Sequence, residues 1–120
     1  IQQTNRKIAT LKKLAVLSKK IESKADRDLE LYNINEALAE HYFHKGAYKE
    51  ASVYYSSCIS NYTNLLSSEY AYDDDIRKAG QKAYYWMGYT AYKQGDTTIA
   101  NHYFNKARNI LNDNLIQPYK

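Results

Sequence analysis

The stretch Tyr84 to Ala107, YYWMGYTAYKQGDTTIANHYFNKA, decides the fold. Trp86 with Met87 and then Ala91 stand before Gly95; Ile99 with Ala100, Tyr103 with Phe104, and Ala107 stand after it. Apolar residues three and four apart line one side of a helix, and Gly95 can end the first helix because glycine takes a left-handed conformation without steric cost. Asp96 or Thr97 can cap the second helix by accepting from its free amides. The stretch therefore reads as two antiparallel helices joined by a tight turn. Gly46, Ala51 and Tyr55 stand 49 residues before Gly95, Ala100 and Phe104, so the hairpin is duplicated. In each copy a small residue lets two helices approach and a ring fills the next layer.

Working outward, Tyr48, Ala51, Tyr55, Cys58 with Ile59, Tyr62, and Leu65 with Leu66 extend the helix after Gly46. Asp73, Asp74 and Asp75 precede Ile76, where acids cap amides and complement the helix dipole, so a fourth helix starts there. Ser23 to Asp28 break the pattern before a second helix that begins at Leu29. Ile8, Leu11, Leu14 with Ala15, and Ile21 mark a first helix over 4–23. The chain has 120 residues, 44% of them hydrophobic, with only 4 Gly and 1 Pro, too little turn chemistry for a many-stranded barrel. One all-α domain of about five helices is expected, with an extra helix at 4–23, a first hairpin at 29–66 and a second at 73–112. Leu14, Leu17, Leu38, Tyr42, Ala51, Tyr55, Met87, Gly88, Ala100, Phe104 and Ala107 are expected in the core.

The second copy resembles the tetratricopeptide repeat family, whose unit carries Trp-x2-Leu-Gly-x2-Tyr and then Ala-x3-Phe. Tyr84 stands at the Trp position, Met87 and Gly88 at the Leu-Gly pair, and Gly95 and Asp96 at the turn. Ala100, Phe104 and Ala107 follow, while Ala91 departs from the family's Tyr. The first copy reads Asn35, Leu38, Ala39, Tyr42, Gly46, Tyr48, Ala51, Tyr55 and Cys58. The resemblance covers about Tyr32 to Asn112 and implies antiparallel hairpins in a right-handed superhelix. The spacing of 49 exceeds the roughly 34 residues of the family unit, and longer third and fourth helices, protruding as a hairpin by about 10 Å, would explain it.

Fourteen tyrosines are the most unusual feature, and Tyr85, Tyr89 and Tyr92 share one helical face. In the family the first helix of each unit lines the concave surface. The resemblance thus places Lys82, Tyr85, Tyr89, Tyr92 and Lys93 there, with Asn33, Glu36, Glu40, Phe43 and His44 from the first copy. Such a groove suits a protein or peptide partner, since aromatic rings give contact area with few rotors to freeze. Packing against a neighbouring repeat would use the same residues. Glu36, Glu40, Tyr85 and Tyr89 at clamp positions speak against the family's clamp for a peptide's free C-terminus.

No Gly-rich phosphate loop, GxSxG motif or other nucleophile–base pattern occurs, so an interaction module without enzymatic activity or cofactor is expected. Cys58, the single cysteine, reads as a core thiol. His41 and His44 stand three apart beside Glu40 with no third ligand fixed, so no metal site is expected; His41 should be half-buried and His44 exposed. The Asp73 to Asp75 run lacks the Gly and terminal Glu of a calcium loop.

Residues 1–24 carry seven cations against Glu22, a balance of +6 within an overall +4, which leaves −2 for the rest. The lysines alternate with the apolar stripe of the first helix and lie apart from the tyrosines, so nucleic acid is not the expected partner. Nor does the stretch carry the Trp or Phe of a membrane-inserting helix. No run is apolar enough to span a bilayer, and a cytoplasmic location is favoured. Because the chain begins at Ile1 and its terminal helix carries Ile99, Tyr103, Phe104, Ile110 and Leu111, with Leu115 and Ile116 beyond, a longer protein or self-association through that helix is expected.

Overall fold

The computed structural model describes residues 2–21 and 23–116, with side chains described over 4–21 and 23–110. Among them every regular element is a helix: α1 Gln2–Leu17 with a following 3-10 turn at Ser18–Lys20, α2 Lys24–His44, α3 Tyr48–Leu65, α4 Asp74–Lys93 and α5 Thr97–Ile116. α2 packs on α3 and α4 on α5 as antiparallel hairpins, and α3 joins the two through its contact with α4.

The helix ends show the duplication bond by bond. Gly46 and Gly95 have φ of +82° and +86°, the left-handed region. In the first copy the Gly46 amide donates to the Phe43 carbonyl at 3.0 Å and Ala47 to Tyr42 at 2.9 Å; in the second, Gly95 donates to Tyr92 and Asp96 to Ala91, each at 3.0 Å. Asp96 rather than Thr97 caps α5, accepting from the Ile99 amide at 3.0 Å. Asp73 caps α4 in the same way, accepting from Asp75 at 2.9 Å and Ile76 at 3.2 Å.

α2 begins five residues earlier than its apolar pattern does. Ser23 Oγ accepts from the Asp26 amide at 3.3 Å and starts the helix. The first turns then pack through polar contacts: buried Asp28 accepts from Asn61 Nδ2 at 3.1 Å and Asn64 Nδ2 at 3.3 Å, and Asn61 Oδ1 accepts from Asn35 at 3.0 Å. This corrects both the expected break at Ser23 to Asp28 and the expected protrusion. The late turns of α3 are flanked by the early turns of α2, and Ile110 of α5 packs against the core cluster that holds Tyr62 and Leu65. The unit is long because all four of its helices are, at 18 to 21 residues each.

Two core clusters result. Tyr32, Cys58, Tyr62, Leu65, Ile76 and Ala83 form one; Ala39, Ala51 and Tyr55 form the other, with Phe43, Trp86 and Met87 against it. Leu38, Gly88, Ala100 and Ala107 are buried as expected, whereas Tyr42, Met87 and Phe104 are only half-buried. Leu14 and Leu17 are corrected outright, standing 41% and 44% exposed. α1 has two stripes, and the one with partial burial runs Ile8, Leu11, Ala15 to buried Ser18, leaving the other in solvent. Leu111, Leu115 and Ile116, counted toward an apolar terminal helix, lie outside the residues with described side chains.

Candidate binding face

The expected concave residues are the same positions in two copies. Asn33, Glu36, Glu40, Phe43 and His44 on α2 stand 49 residues before Lys82, Tyr85, Tyr89, Tyr92 and Lys93 on α4. The structure gives the two rows different jobs.

The α2 row seats α4. Lys82 Nζ lies 3.4 Å from Glu36 Oε2 and 3.8 Å from Glu40 Oε1. Half exposed, this cation between two carboxylates contributes at most about 1 kcal/mol and acts mainly as a register mark. The half-buried Phe43 ring meets Trp86 edge-on at 5.2 Å and Tyr89 at 6.3 Å. His44 does not join this seam, and Asn33 stands exposed at its edge, by the start of α4. Asn33 lines a small pocket of about 150 Å³ with Leu29, Asp75 and Ile76. His44, exposed, lines a cleft toward α1 with Thr4 and Lys7, and His41 beside it is half-buried.

The α4 row is open. Tyr85, Tyr89 and Tyr92 are 49%, 37% and 56% exposed. They form a continuous strip, with centroids 6.0 Å apart from Tyr85 to Tyr89 and 6.3 Å from Tyr89 to Tyr92. Their backing is firm, because Phe104 of α5 lies 5.3 Å from Tyr85 and 6.5 Å from Tyr89, and Trp86 lies 5.8 Å from Tyr89. Phe104 also lies over Gly88, where an added Cβ would stand 2.8 Å from its ring, so the missing side chain lets α5 close on α4. Lys93 is exposed in the last turn of α4.

Beside the strip a cleft of about 600 Å³ opens between α4 and α5. Phe104 and Ala107 supply its apolar wall, and Lys78, Gln81, Tyr85 and Arg108 surround it. Gln81 Nε2 donates across it to the Ala107 carbonyl at 3.3 Å. No carboxylate is among its lining residues, and Lys78 and Arg108 make no ion pair among the described residues, Arg108 bonding only the Asn105 side chain. Reading the sequence for exposed aromatics missed Lys78, Gln81 and Arg108. The 49-residue offset was the available signal, since it maps them onto Leu29, Tyr32 and Ile59, which pack in the first core cluster.

Elsewhere the reactive groups are shut in. Cys58 is fully buried, its Sγ 3.7 Å from the Tyr32 carbonyl, and burial pushes its thiol up, with the charges of Glu36 and Glu40 adding to the effect. Burial raises the Tyr32 phenol too, with Glu36 adding. Its hydroxyl donates to the Ala79 carbonyl at 2.6 Å. Among the described residues no three His, Cys, Asp or Glu side chains group to hold a metal, and no helix is long and apolar enough to cross a membrane. Compared with protein families, curated proteins and solved structures, the chain matches none.

Proposed function

We propose that this chain is a non-enzymatic protein-binding module, two tetratricopeptide-like units behind an N-terminal helix, within a larger regulatory, signalling or assembly protein. The partner is a protein or peptide, and it docks on the tyrosine strip of α4. One observation carries this reading: Tyr85, Tyr89 and Tyr92 are open to solvent at positions whose counterparts in the first copy hold a helix in place. Rigid rings with a hydroxyl at the rim supply contact area and hydrogen bonding at small entropic cost, the composition common at binding hot spots.

Affinity capture with the purified chain tests it, comparing wild type with Tyr85→Ala combined with Tyr89→Ala. Proteins retained by the wild type should be lost from the variant while circular dichroism shows unchanged helicity. Retention of the same proteins by both forms would overturn the assignment. Sedimentation of the same samples separates the alternative, a helical oligomerisation domain, which requires a mass that rises with concentration.

A further inference from the structure

We infer that the cleft between α4 and α5 is the seat of an α-helix from another protein, one with carboxylates along the flank that meets Lys78 and Arg108. The inference rests on the binding-face reading above and gives its partner a shape and a charge.

The shape comes from the duplication. Lys78, Gln81, Phe104, Ala107 and Arg108 stand 49 residues after Leu29, Tyr32, Tyr55, Cys58 and Ile59. In the first hairpin those five close around α4. Tyr32 bonds the Ala79 carbonyl, Tyr55 stacks on Trp86 with planes 12° apart, and Cys58 shares a core cluster with Ile76 and Ala83, with Leu29 and Ile59 packed on its edge. The second hairpin repeats the ring as Phe104 and the small wall residue as Ala107. It is a helix seat by construction, and its volume is open.

The charge comes from where the copies differ. Apolar Leu29 and Ile59 become Lys78 and Arg108, so a helix as apolar along its edges as α4 would bury two cations without partners, which is costly. A helix with acids on that flank removes the cost and gains charge-assisted hydrogen bonds. Lys82, on the same side, already has Glu36 and Glu40. A second copy of this chain stacked head to tail would bring α1 to the cleft; Lys7 and Lys12 of α1 face α2, but Arg6 and Lys13 stand exposed on its free side, so like charges disfavour that occupant.

The probe is a synthetic peptide of residues 73–93, the helix the equivalent seat holds, with Lys78 and Lys82 of the peptide replaced by glutamate. Asp75 lies beside Leu29 and Asn33 in the first seat, so in the second it falls against their counterparts, Lys78 and Lys82. Fluorescence anisotropy should show saturable binding to the wild-type chain, with a gain of peptide helicity. Lys78→Glu with Arg108→Glu in the chain should weaken binding by about ten-fold or more, and Asp74→Asn with Asp75→Asn in the peptide should do the same. Lys45→Glu with Lys49→Glu, which alters net charge equally at exposed positions elsewhere, should leave it nearly unchanged. Equal loss from both chain variants, or none from the first, overturns the inference. So does binding of a proline-rich peptide of the same net charge while the helical probe fails, an outcome that leaves the tyrosine strip standing as a binding face. Binding of neither peptide also overturns it, and the capture experiment with the tyrosine variants then judges the face separately.

Discussion

Tyr55 of α3 and Trp86 of α4 stack almost parallel, their centroids 6.4 Å apart, and the Tyr55 hydroxyl is sealed from solvent with no hydrogen-bond partner among the described residues. The second copy carries Phe104 at the equivalent position. An unsatisfied buried hydroxyl costs about 1–3 kcal/mol of desolvation, so Tyr55→Phe should leave stability unchanged or raise it by about 1 kcal/mol. Chemical denaturation measures this, and a loss of comparable size would show that the hydroxyl bonds something.

Gly80 sets the distance between α3 and α4, since a Cβ there would run into the Tyr62 ring. Alanine gains about 1 kcal/mol of helix propensity over glycine, but forcing a methyl against a buried ring costs about 1–3 kcal/mol. Tyr62 is buried and T-stacked on Tyr84 at 6.3 Å, so the ring has little freedom to yield. Gly80→Ala should therefore be net destabilising, seen as a lower Tm, whereas replacing an exposed helical residue such as Lys78 by alanine should not.

Asp28 joins α2 to α3 through two amide donors, Asn61 and Asn64. Removing the acceptor strands a donor on buried Asn61, and Asp28→Ala should cost about 1–3 kcal/mol. Asn61→Ala in the Asp28→Ala background should then cost less than Asn61→Ala alone, a coupling that a double-mutant cycle measures.

Alkaline pH should unfold the domain. Burial raises the Tyr32 and Tyr55 phenols and the Cys58 thiol; the carboxylate of Glu36 adds to all three shifts and that of Glu40 to those of Tyr55 and Cys58. The folded chain keeps these protons while the unfolded chain releases them from about 8.5 for the thiol and 10 for the phenols. Their contribution is thus complete below about pH 8.5 and declines as pH rises above it. Helicity and tyrosinate absorbance, followed together, should show the last tyrosines ionising only as the helices melt. Smooth ionisation of all fourteen with helicity intact would contradict the burial of Tyr32 and Tyr55.

The helices were legible because their signals are local. Gly46, Gly95, Asp73 and Asp96 mark ends through backbone geometry and capping that do not depend on tertiary context. Leu14 and Leu17 misled because α1 carries two apolar stripes, and periodicity cannot say which one meets α2. Asp28 was hidden because its packing is polar, and an apolar pattern is silent there. The candidate site was half legible: exposed tyrosines on α4 could be read from helical spacing. That the matching α2 row would be covered by α4 could not, since equivalent positions differ only in what the next helix does. Lys78 and Arg108 likewise acquire meaning only when set beside Leu29 and Ile59, across the seat that α4 fills.

The most direct measurement is amide hydrogen exchange of the chain alone and with a partner retained in the capture experiment. The face assigned here predicts new protection concentrated in α4 around Tyr85 to Tyr92 and in α5 around Phe104 to Arg108, with α1 and the outer side of α3 near Val53 unchanged. Protection confined to α1 or to α3, with α4 and α5 exchanging as in the free chain, would contradict it.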